Sequence, residues 1–354
     1  MRIGTISYWV RRARRWWCGA LLAPLALAVL SAGAAASDFR TPISMLHWLS
    51  GVNVAGGEFG PAGDTYGVHY TYPDTSVIDY YALKRFRLIR LPTLAKRLVR
   101  TSAEGGSETT GDMDIVLTLI DHAAKRGMYV VLDLHDYGRA RTGELIGRDH
   151  GAAEVFAADW KAIAARIGAR PNVLFGLMNE PHEQSAWEWL VGANAAIAAI
   201  RQTGATQGIL VGGSYWSGAE SWTKSQNAPA MLGVVDPLNN YAYEVHSYFD
   251  WDYSGTTPDA VPTTGVASLQ AVTDWARANR KRVFLGEFGW AANPQGNKEG
   301  EALLRFLSEN RDVWLGWAYW AGGPWWGDYM FSVEPDYDNL YDRPQMRILT
   351  KYAR

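Results

Sequence analysis

Two glutamates stand where a pair of catalytic carboxylates would be needed. Glu180 follows the apolar run Val173–Met178 within Asn179-Glu180-Pro181, and Glu287 follows Val283–Gly286 within Gly286-Glu287-Phe288. Other polar residues fall at similar places: Arg90 near the end of Arg87–Leu91, Asp133-Leu134-His135 closing the run from Tyr129, His246-Ser247-Tyr248 after Tyr241–Val245, and Trp320 closing Gly316–Trp320. Two carboxyl groups about 5 Å apart suit glycosidic bond cleavage with retention, in which one attacks the anomeric carbon and the other, kept protonated by its surroundings, serves the leaving oxygen. Taken singly, each residue has a plainer explanation. Arg90 could close a salt bridge, His135 or His246 could be a satisfied core histidine, Tyr248 could be packing, and either Glu could be an ion-pair partner at a rim. The argument rests on all of them closing successive apolar runs.

Those runs define the elements that must position the set. Leu49–Val54, Arg87–Leu91, Tyr129–Leu134, Val173–Met178, Gly208–Gly212, Tyr241–Val245, Val283–Gly286 and Gly316–Trp320 are short, apolar and β-rich. Helical spacing lies between several of them, as in Met113, Val116, Leu117, Ile120 and Ala124, then Phe156, Trp160, Ile163 and Ile167. Ser185-Ala186-Trp187-Glu188 reads as a capping box, opening a helix that runs to Thr203 and stops at Gly204. Near-continuous apolar strands alternating with helices indicate a parallel sheet buried on both faces. Eight units predict an α/β fold, a single (β/α)₈ TIM barrel. The rival is an open doubly wound sheet, but no Gly-x-Gly-x-x-Gly or Walker loop follows any of the strands. Catalysis in a barrel sits at the C-terminal strand ends, where Glu180 on strand four and Glu287 on strand seven would face each other across the mouth.

The chain has 354 residues, a net charge of −2 and one Cys. The two signs nearly balance, so no basic surface favours nucleic acid or an anionic membrane. Residues 1–36 read as a signal peptide: Arg11, Arg12, Arg14 and Arg15 form a basic n-region, Leu21–Leu30 is an apolar core, and Ala34-Ala35-Ala36 offers the cleavage site. An uncleaved anchor is the rival, since the 19 largely apolar residues Cys18–Ala36 are just long enough to span a bilayer. Twin-arginine export and a lipoprotein site at Cys18 fit less well. Removing 1–36 takes five Arg and no acid, so the net charge moves from −2 to −7. Cys18 leaves with it, and the remaining 37–354, one catalytic domain, rests on its core without disulfides. The exported protein is expected in the periplasm or outside the cell, as a monomer free of the membrane.

Four stretches carry a resemblance. Leu177-Met178-Asn179-Glu180-Pro181, Leu285-Gly286-Glu287-Phe288-Gly289, Glu244-Val245-His246-Ser247-Tyr248 and Gly316-Trp317-Ala318-Tyr319-Trp320 resemble glycoside hydrolase family 5, the family of many cellulases. Gly51-Val52-Asn53 with Glu58-Phe59-Gly60, Asn239–Glu244 and Gly323–Met330 look like its endoglucanase branch, so the likeness covers essentially Leu49–Pro335.

The resemblance implies Glu180 as acid/base and Glu287 as nucleophile, with Arg90 and Tyr248 bonding the nucleophile and His246 beside the acid/base. It implies Asn179 on the sugar 2-hydroxyl, His135 on the sugar at the point of cleavage, and Trp320 as the platform beneath that sugar. Asp136 stands where relatives often have Asn, Lys96 where many have Glu, and the loop-fixing disulfides of some relatives are absent. Trp216, Trp251, Trp290, Trp325 and Trp326 follow strand ends five to eight and are candidates for stacking on pyranose rings, with Trp216, Trp251, Trp290 and Trp325 taken as substrate-binding. Trp160, Trp187 and Trp275 lie in helical segments and read as packing. A barrel metallohydrolase built on Asp133, His135, Asp136 and His246 would leave both Glu unexplained, and Ser214 is in no Gly-x-Ser-x-Gly elbow. The expectation is therefore a secreted, cofactor-free, metal-free retaining endo-β-1,4-glucanase acting on β-glucan. Another β-glycanase of the same fold, for mixed-linkage glucan, xyloglucan or mannan, and a sugar-binding barrel without catalysis remain as alternatives.

Overall fold

The structure, a computed structural model, describes residues 42–336 and 341–353. The expected signal peptide at 1–36 lies outside the described residues. Eight strands, β1 (Leu49–Val54), β2 (Leu88–Thr93), β3 (Tyr129–Leu134), β4 (Val173–Gly176), β5 (Gly208–Gly212), β6 (Tyr241–His246), β7 (Val283–Glu287) and β8 (Trp314–Gly322), pair in sequence order, and β8 pairs back onto β1 to close the barrel. Every pairing in the barrel is parallel. Besides a single helical turn at Ala95–Leu98 after β2, the helices are α1 (Thr75–Leu83), α2 (Asp112–Lys125), α3 (Ala152–Ile167), α4 (Ala186–Gln202), α5 (Asn227–Ala230), α6 (Thr264–Ala278), α7 (Pro294–Glu309) and α8 (Met346–Leu349). The fifth and eighth are single turns, so the alternation is complete in order but uneven in length.

Local sequence explains the helix ends. At α4 the Ser185 hydroxyl accepts from Glu188 N–H while the Glu188 carboxylate accepts from Ser185 N–H, and Gly204 (φ +84°) turns the chain away. At α7 the Asn293 side chain caps Gly296 N–H, with Pro294 in the first turn. The apolar stripes of α2 (Met113, Val116, Leu117, Ile120) and α3 (Phe156, Trp160, Ile163, Ile167) are buried.

All six residues are buried in β1, β2 and β3, because one face of the barrel wall packs on helices and the other fills the interior. Leu49, Leu88, Val131, Leu174, Leu210, Ala242, Phe284 and Ala318 form one apolar cluster, joined by Ile43 and Leu46 from the segment before β1. The close packing needs glycine at Gly51, where a Cβ would lie 2.4 Å from the Leu88 carbonyl oxygen.

Five strands end elsewhere than expected: β6 and β7 each run one residue further, to His246 and Glu287, and three others differ by two residues. β2 continues to Thr93, which puts Arg90 in mid-strand. β4 stops at Gly176, yet Leu177 N–H and Asn179 N–H still reach the Leu210 and Leu134 carbonyls (3.1 and 2.7 Å) and carry the chain on to Glu180. β8 runs on to Gly322, so Trp320 lies within it.

Candidate active site

Side chains alternate along a strand, so the inward positions two residues above the apolar cluster follow from it: Asn53 above Gly51, Arg90 above Leu88, Asp133 above Val131, Glu244 above Ala242. This layer is polar and buried. The Arg90 guanidinium is fully enclosed, with Asp133 Oδ1 at 3.0 Å, Glu244 Oε1 at 2.9 Å and Glu287 Oε1 at 2.9 Å. It also donates to Asn53 Oδ1 (2.8 Å) and Asn179 Oδ1 (2.9 Å). Burial opposes its charge, but the three carboxylates around it hold it firmly protonated. Gly286 makes room for this cluster, since a Cβ there would lie 2.0 Å from Glu244 Oε1. A register shift between β6 and β7 then sets Glu287 beside His246.

Glu287 is held at both oxygens: Arg90 Nη1 on Oε1 (2.9 Å) and Tyr248 Oη, donating, on Oε2 (2.8 Å). Burial pushes its proton affinity above the ordinary glutamate value, while His246 and Arg90 pull the other way. Glu180 sits at φ +44°, a left-handed conformation uncommon outside glycine, immediately after Asn179. Its Oε1 lies 2.7 Å from His246 Nδ1. Burial alone would hold His246 neutral, but Glu287, Glu180 and Glu244 around it raise it to about 10, so the ring is a cation at neutral pH. Ligand atoms of Glu180, His246 and Glu287 all lie within 4.8 Å of one another. That spacing could bridge a cation, but a protonated His246 and Arg90 already supply positive charge there, so the set does not fit a metal. The Asp133, His135, Asp136 and His246 alternative is not assembled either. Asp133 is engaged by Arg90, and its Oδ2 meets His135 Nδ1 at 2.8 Å; burial pushes His135 down to about 4, so its imidazole is neutral.

Two cavities flank this pair. One, of about 650 Å³, is walled by Glu180, His182, Trp216, Glu220 and Tyr248, with the His182 and Trp216 rings stacked at 3.5 Å and 6°. The other, of about 660 Å³, is walled by His135, Trp320, Trp326, Phe59 and Glu58. Trp320 is half-buried and its ring lies 5.7 Å from His135, nearly parallel at 17°. Between the two, the Nδ2 of Asn179 is buried and lacks a hydrogen-bond partner, a donor available to a bound hydroxyl.

The structure thus gathers Glu180, Glu287, Arg90, His246, Tyr248, His135, Asn179, Trp320 and Trp216 around one cleft. Trp251 is exposed next to Asp252 and Tyr253, which line the first cavity. One tryptophan is corrected. Trp290 is buried in the core, packed edge-on against Tyr319 at 5.0 Å with its Nε1 bonded to Asn297, so no sugar reaches it. Trp325, like Trp251, is exposed outside the two cavity walls, and its neighbour Trp326 lines the second cavity, edge-on to Trp320 at 5.8 Å. Trp187, read as packing, is half-exposed on α4. Glu244 and Asn53 were not singled out as site residues, and Asp133 was weighed only at a strand end and as a metal ligand, although a polar side chain on the inward face of a buried strand is the signal that finds all three. Glu58 and His182 lie on loops and give no such signal.

With this geometry in hand, comparison with known proteins is informative. Residues 49–323 match the family profile of cellulase (glycosyl hydrolase family 5). The chain is 39% identical over 293 residues to endo-β-1,4-glucanase A of Emericella nidulans, covering 81% of this chain and 87% of the relative. It superposes with a TM-score of 0.82 on an endo-β-1,4-glucanase of Xanthomonas axonopodis pv. citri, at 38% identity and 87% and 98% coverage. The same score is reached with XacCel5A in complex with cellopentaose, at 40% identity and 87% and 99% coverage.

Proposed function

The chain belongs to glycosyl hydrolase family 5, and from that premise we propose that it is an exported endo-β-1,4-glucanase that cleaves internal bonds of β-glucan with retention. The observation that carries the proposal is the spacing of the two glutamates. Their oxygens lie within 4.8 Å, the range of a nucleophile and acid/base flanking one bond at about 5–5.5 Å, and short of the roughly 6.5–9.5 Å an inverting enzyme leaves for water.

In the mechanism this supports, a glucan lies across the mouth with the sugar to be cleaved on Trp320. Glu287 forms a bond to C1, the bond from C1 to the leaving oxygen breaks, and that oxygen takes its electron pair together with the proton of Glu180. Glu180 then removes a proton from water, whose oxygen displaces Glu287 from C1 and regenerates both carboxyls. Arg90 and Tyr248 orient the attacking carboxylate, and Arg90 with His246 offsets its burial. The side of the cleft that holds Glu180, with His182 and Trp216, receives the leaving chain; the side with Trp326 receives the donor chain. The cellopentaose bound by XacCel5A supports a gluco-oligosaccharide as substrate. Among the described residues no helix is long and apolar enough to cross a membrane, and export rests on residues 1–36 as a signal peptide.

The test is reducing-sugar release from carboxymethylcellulose against mannan and xylan, with proton NMR of the first products. Carboxymethylcellulose cleaved fastest, with the β-anomer appearing first, is expected; faster release from mannan or xylan, or an initial α-anomer, overturns the proposal.

A further inference from the structure

The donor half of the cleft contains a carboxyl group that the mechanism does not use. Glu58 follows the close turn Gly56-Gly57 after β1, where a Cβ on Gly57 would lie 2.6 Å from the Pro92 carbonyl oxygen. This turn brings Glu58 into the wall of the cavity that holds Trp320 and Trp326. Its Oε2 accepts from Gly56 N–H at 2.8 Å. Its Oε1 is out of reach of solvent and has no hydrogen-bond partner. A buried carboxylate oxygen left in this way is costly, and a proton or a ligand relieves the cost.

The charges around it favour the proton. Asp133 and Glu287, on the barrel side, both disfavour an anion at Glu58. The cations nearby are committed elsewhere: Lys96 Nζ to Pro61 O and Asp64 (2.8 and 2.7 Å), Arg97 to the Gly57 carbonyl (2.6 Å) and those of Phe59 and Gly60. On the opposite wall Arg139 is paired with Glu183 and Arg141 with Asp159, His135 is neutral, and burial keeps Tyr137 protonated. Asp136 is itself pushed up to about 7 by burial, with Ala95 N–H on its Oδ2 at 2.8 Å. Burial, reinforced by these anions, pushes Glu58 up to about 8.

We propose that Glu58 binds the glucan as a neutral carboxylic acid, its unpartnered oxygen turning out of its buried position to donate a hydrogen bond to a ring-edge hydroxyl of the donor-side glucosyl unit next to the one being cleaved. The proposal rests on the glucanase reading above. A neutral carboxyl both donates and accepts, as paired sugar hydroxyls require, whereas the anion could only accept. Glu58 shares its cavity wall with Trp320 and Trp326, whose ring faces suit successive donor-side pyranoses.

The experiment is steady-state hydrolysis of an aryl β-cellobioside from pH 5 to 9 by wild type, Glu58→Gln and Glu58→Ala. Ionisation at about 8 leaves roughly a tenth of the enzyme competent at pH 9, so wild-type KM rises about tenfold. Glu58→Gln, neutral at every pH and still a donor, keeps the wild-type KM at pH 6 and loses that rise. Glu58→Ala raises KM at every pH. Asp136→Asn retains the rise, which separates the two carboxyls. Infrared difference spectra of wild type against Glu58→Gln at pH 6 show the carbonyl band of a neutral carboxyl in the wild type. A wild-type KM flat to pH 9, a rise that survives in Glu58→Gln, or absence of the infrared band overturns the proposal. Failure of the wild type to release reducing sugar from carboxymethylcellulose would instead overturn the function proposed above, and the infrared band would still decide the proton on Glu58.

Discussion

At the floor of the barrel the inward side chains are Leu88, Val131, Leu174, Leu210, Ala242 and Phe284. One layer up the same strands, about 6.6 Å by strand rise, they are Arg90, Asp133 and Glu244, with Glu287 and His246 at the top. The floor gains free energy from each apolar side chain removed from water. The mouth spends it, because Arg90 and several carboxylates are buried together and such clusters are at best neutral for stability against apolar packing of the same volume. A cavity of about 900 Å³ opens at the floor end, bigger than either half of the cleft, yet its wall of Trp48, Arg87, Arg282 and Trp314 brings no carboxylates together. Convergent, electrically coupled groups, and not volume, mark the working end of this barrel.

The sharpest test of that division is Glu287→Ala. Turnover should fall on the order of 10⁵-fold, as for other nucleophiles acting within a covalent mechanism, while the melting temperature stays near wild type because the substitution removes a buried charge and leaves the apolar layer intact. Azide should restore turnover and yield the α-glycosyl azide. If Glu180→Ala instead yields the α-azide and Glu287→Ala the β-azide, the two glutamates have exchanged roles.

Arg90 is the residue that should break the division, since it is structural and functional at once. Arg90→Leu strips the cation from Asp133, Glu244 and Glu287 together. Leaving a buried cluster uncompensated costs about 3–5 kcal/mol, and turnover should fall by at least about 10²-fold as Glu287 loses its orientation. Without the cation these carboxylates hold protons more tightly when folded, so the deficit should be largest above neutrality and shrink as the pH falls and they protonate. Thermal unfolding of wild type and variant at pH 5 and pH 8 reads this directly; an equal deficit at both pH values would mean that Arg90 contributes only packing.

Smaller effects are expected from the rim and from pH. Trp320→Ala should lower kcat about ten- to a hundredfold, or about 1–3 kcal/mol, because the stacked ring engages the flattening sugar more closely in the transition state. Near-constant melting temperature is expected, since Trp320 is half-buried against the cleft. Loss of stability with unchanged kcat would make it a core residue. In the wild type, kcat/KM for an aryl cellobioside should fall on the acid side as Glu287 takes a proton. Burial raises its affinity for that proton, so the limb belongs above the ordinary glutamate value, and a limb at or below that value would contradict the buried geometry.

How much of this could be read from the chain differs between the two ends for a physical reason. Strands β1, β3 and β5 match the apolar runs residue for residue, and the α4 capping box forms as its four-residue pattern implies, because both are set by local side-chain type. The catalytic pair was legible because strand ends in a closed barrel converge. Asp133 and Glu244 were legible in principle as charges on an inward face, but which carboxylate meets Arg90 depends on register, and Glu287 reaches His246 only through the shift between β6 and β7. Loop tryptophans were the weakest point. Trp290 and Trp326 both follow strand ends, and only the packing of Tyr319 and Phe249 against Trp290 decides that one is core and the other cleft wall.

The least effect on chemistry should come from the floor, and Leu174 is the position to show it. Its side chain is 1% exposed within the cluster of Leu88, Val131, Leu210 and Phe284, two residues below Gly176 at the end of β4 and six before Glu180. Leu174→Ala removes buried methyl and methylene groups and leaves a void that a closed barrel, fixed by hydrogen bonds on every side, cannot easily collapse; the cost is about 2–5 kcal/mol, and several degrees of melting temperature follow. Leu174 lies in the apolar layer below Arg90 and Glu287, and the polar layer above it is locked by ion pairs of 2.9 to 3.0 Å. Turnover per folded molecule should therefore stay within about twofold of wild type, read well below the melting point with active-site titration. A fall in kcat comparable to that of Trp320→Ala would mean that the floor sets the spacing of the carboxyl pair, and that the two layers are mechanically one.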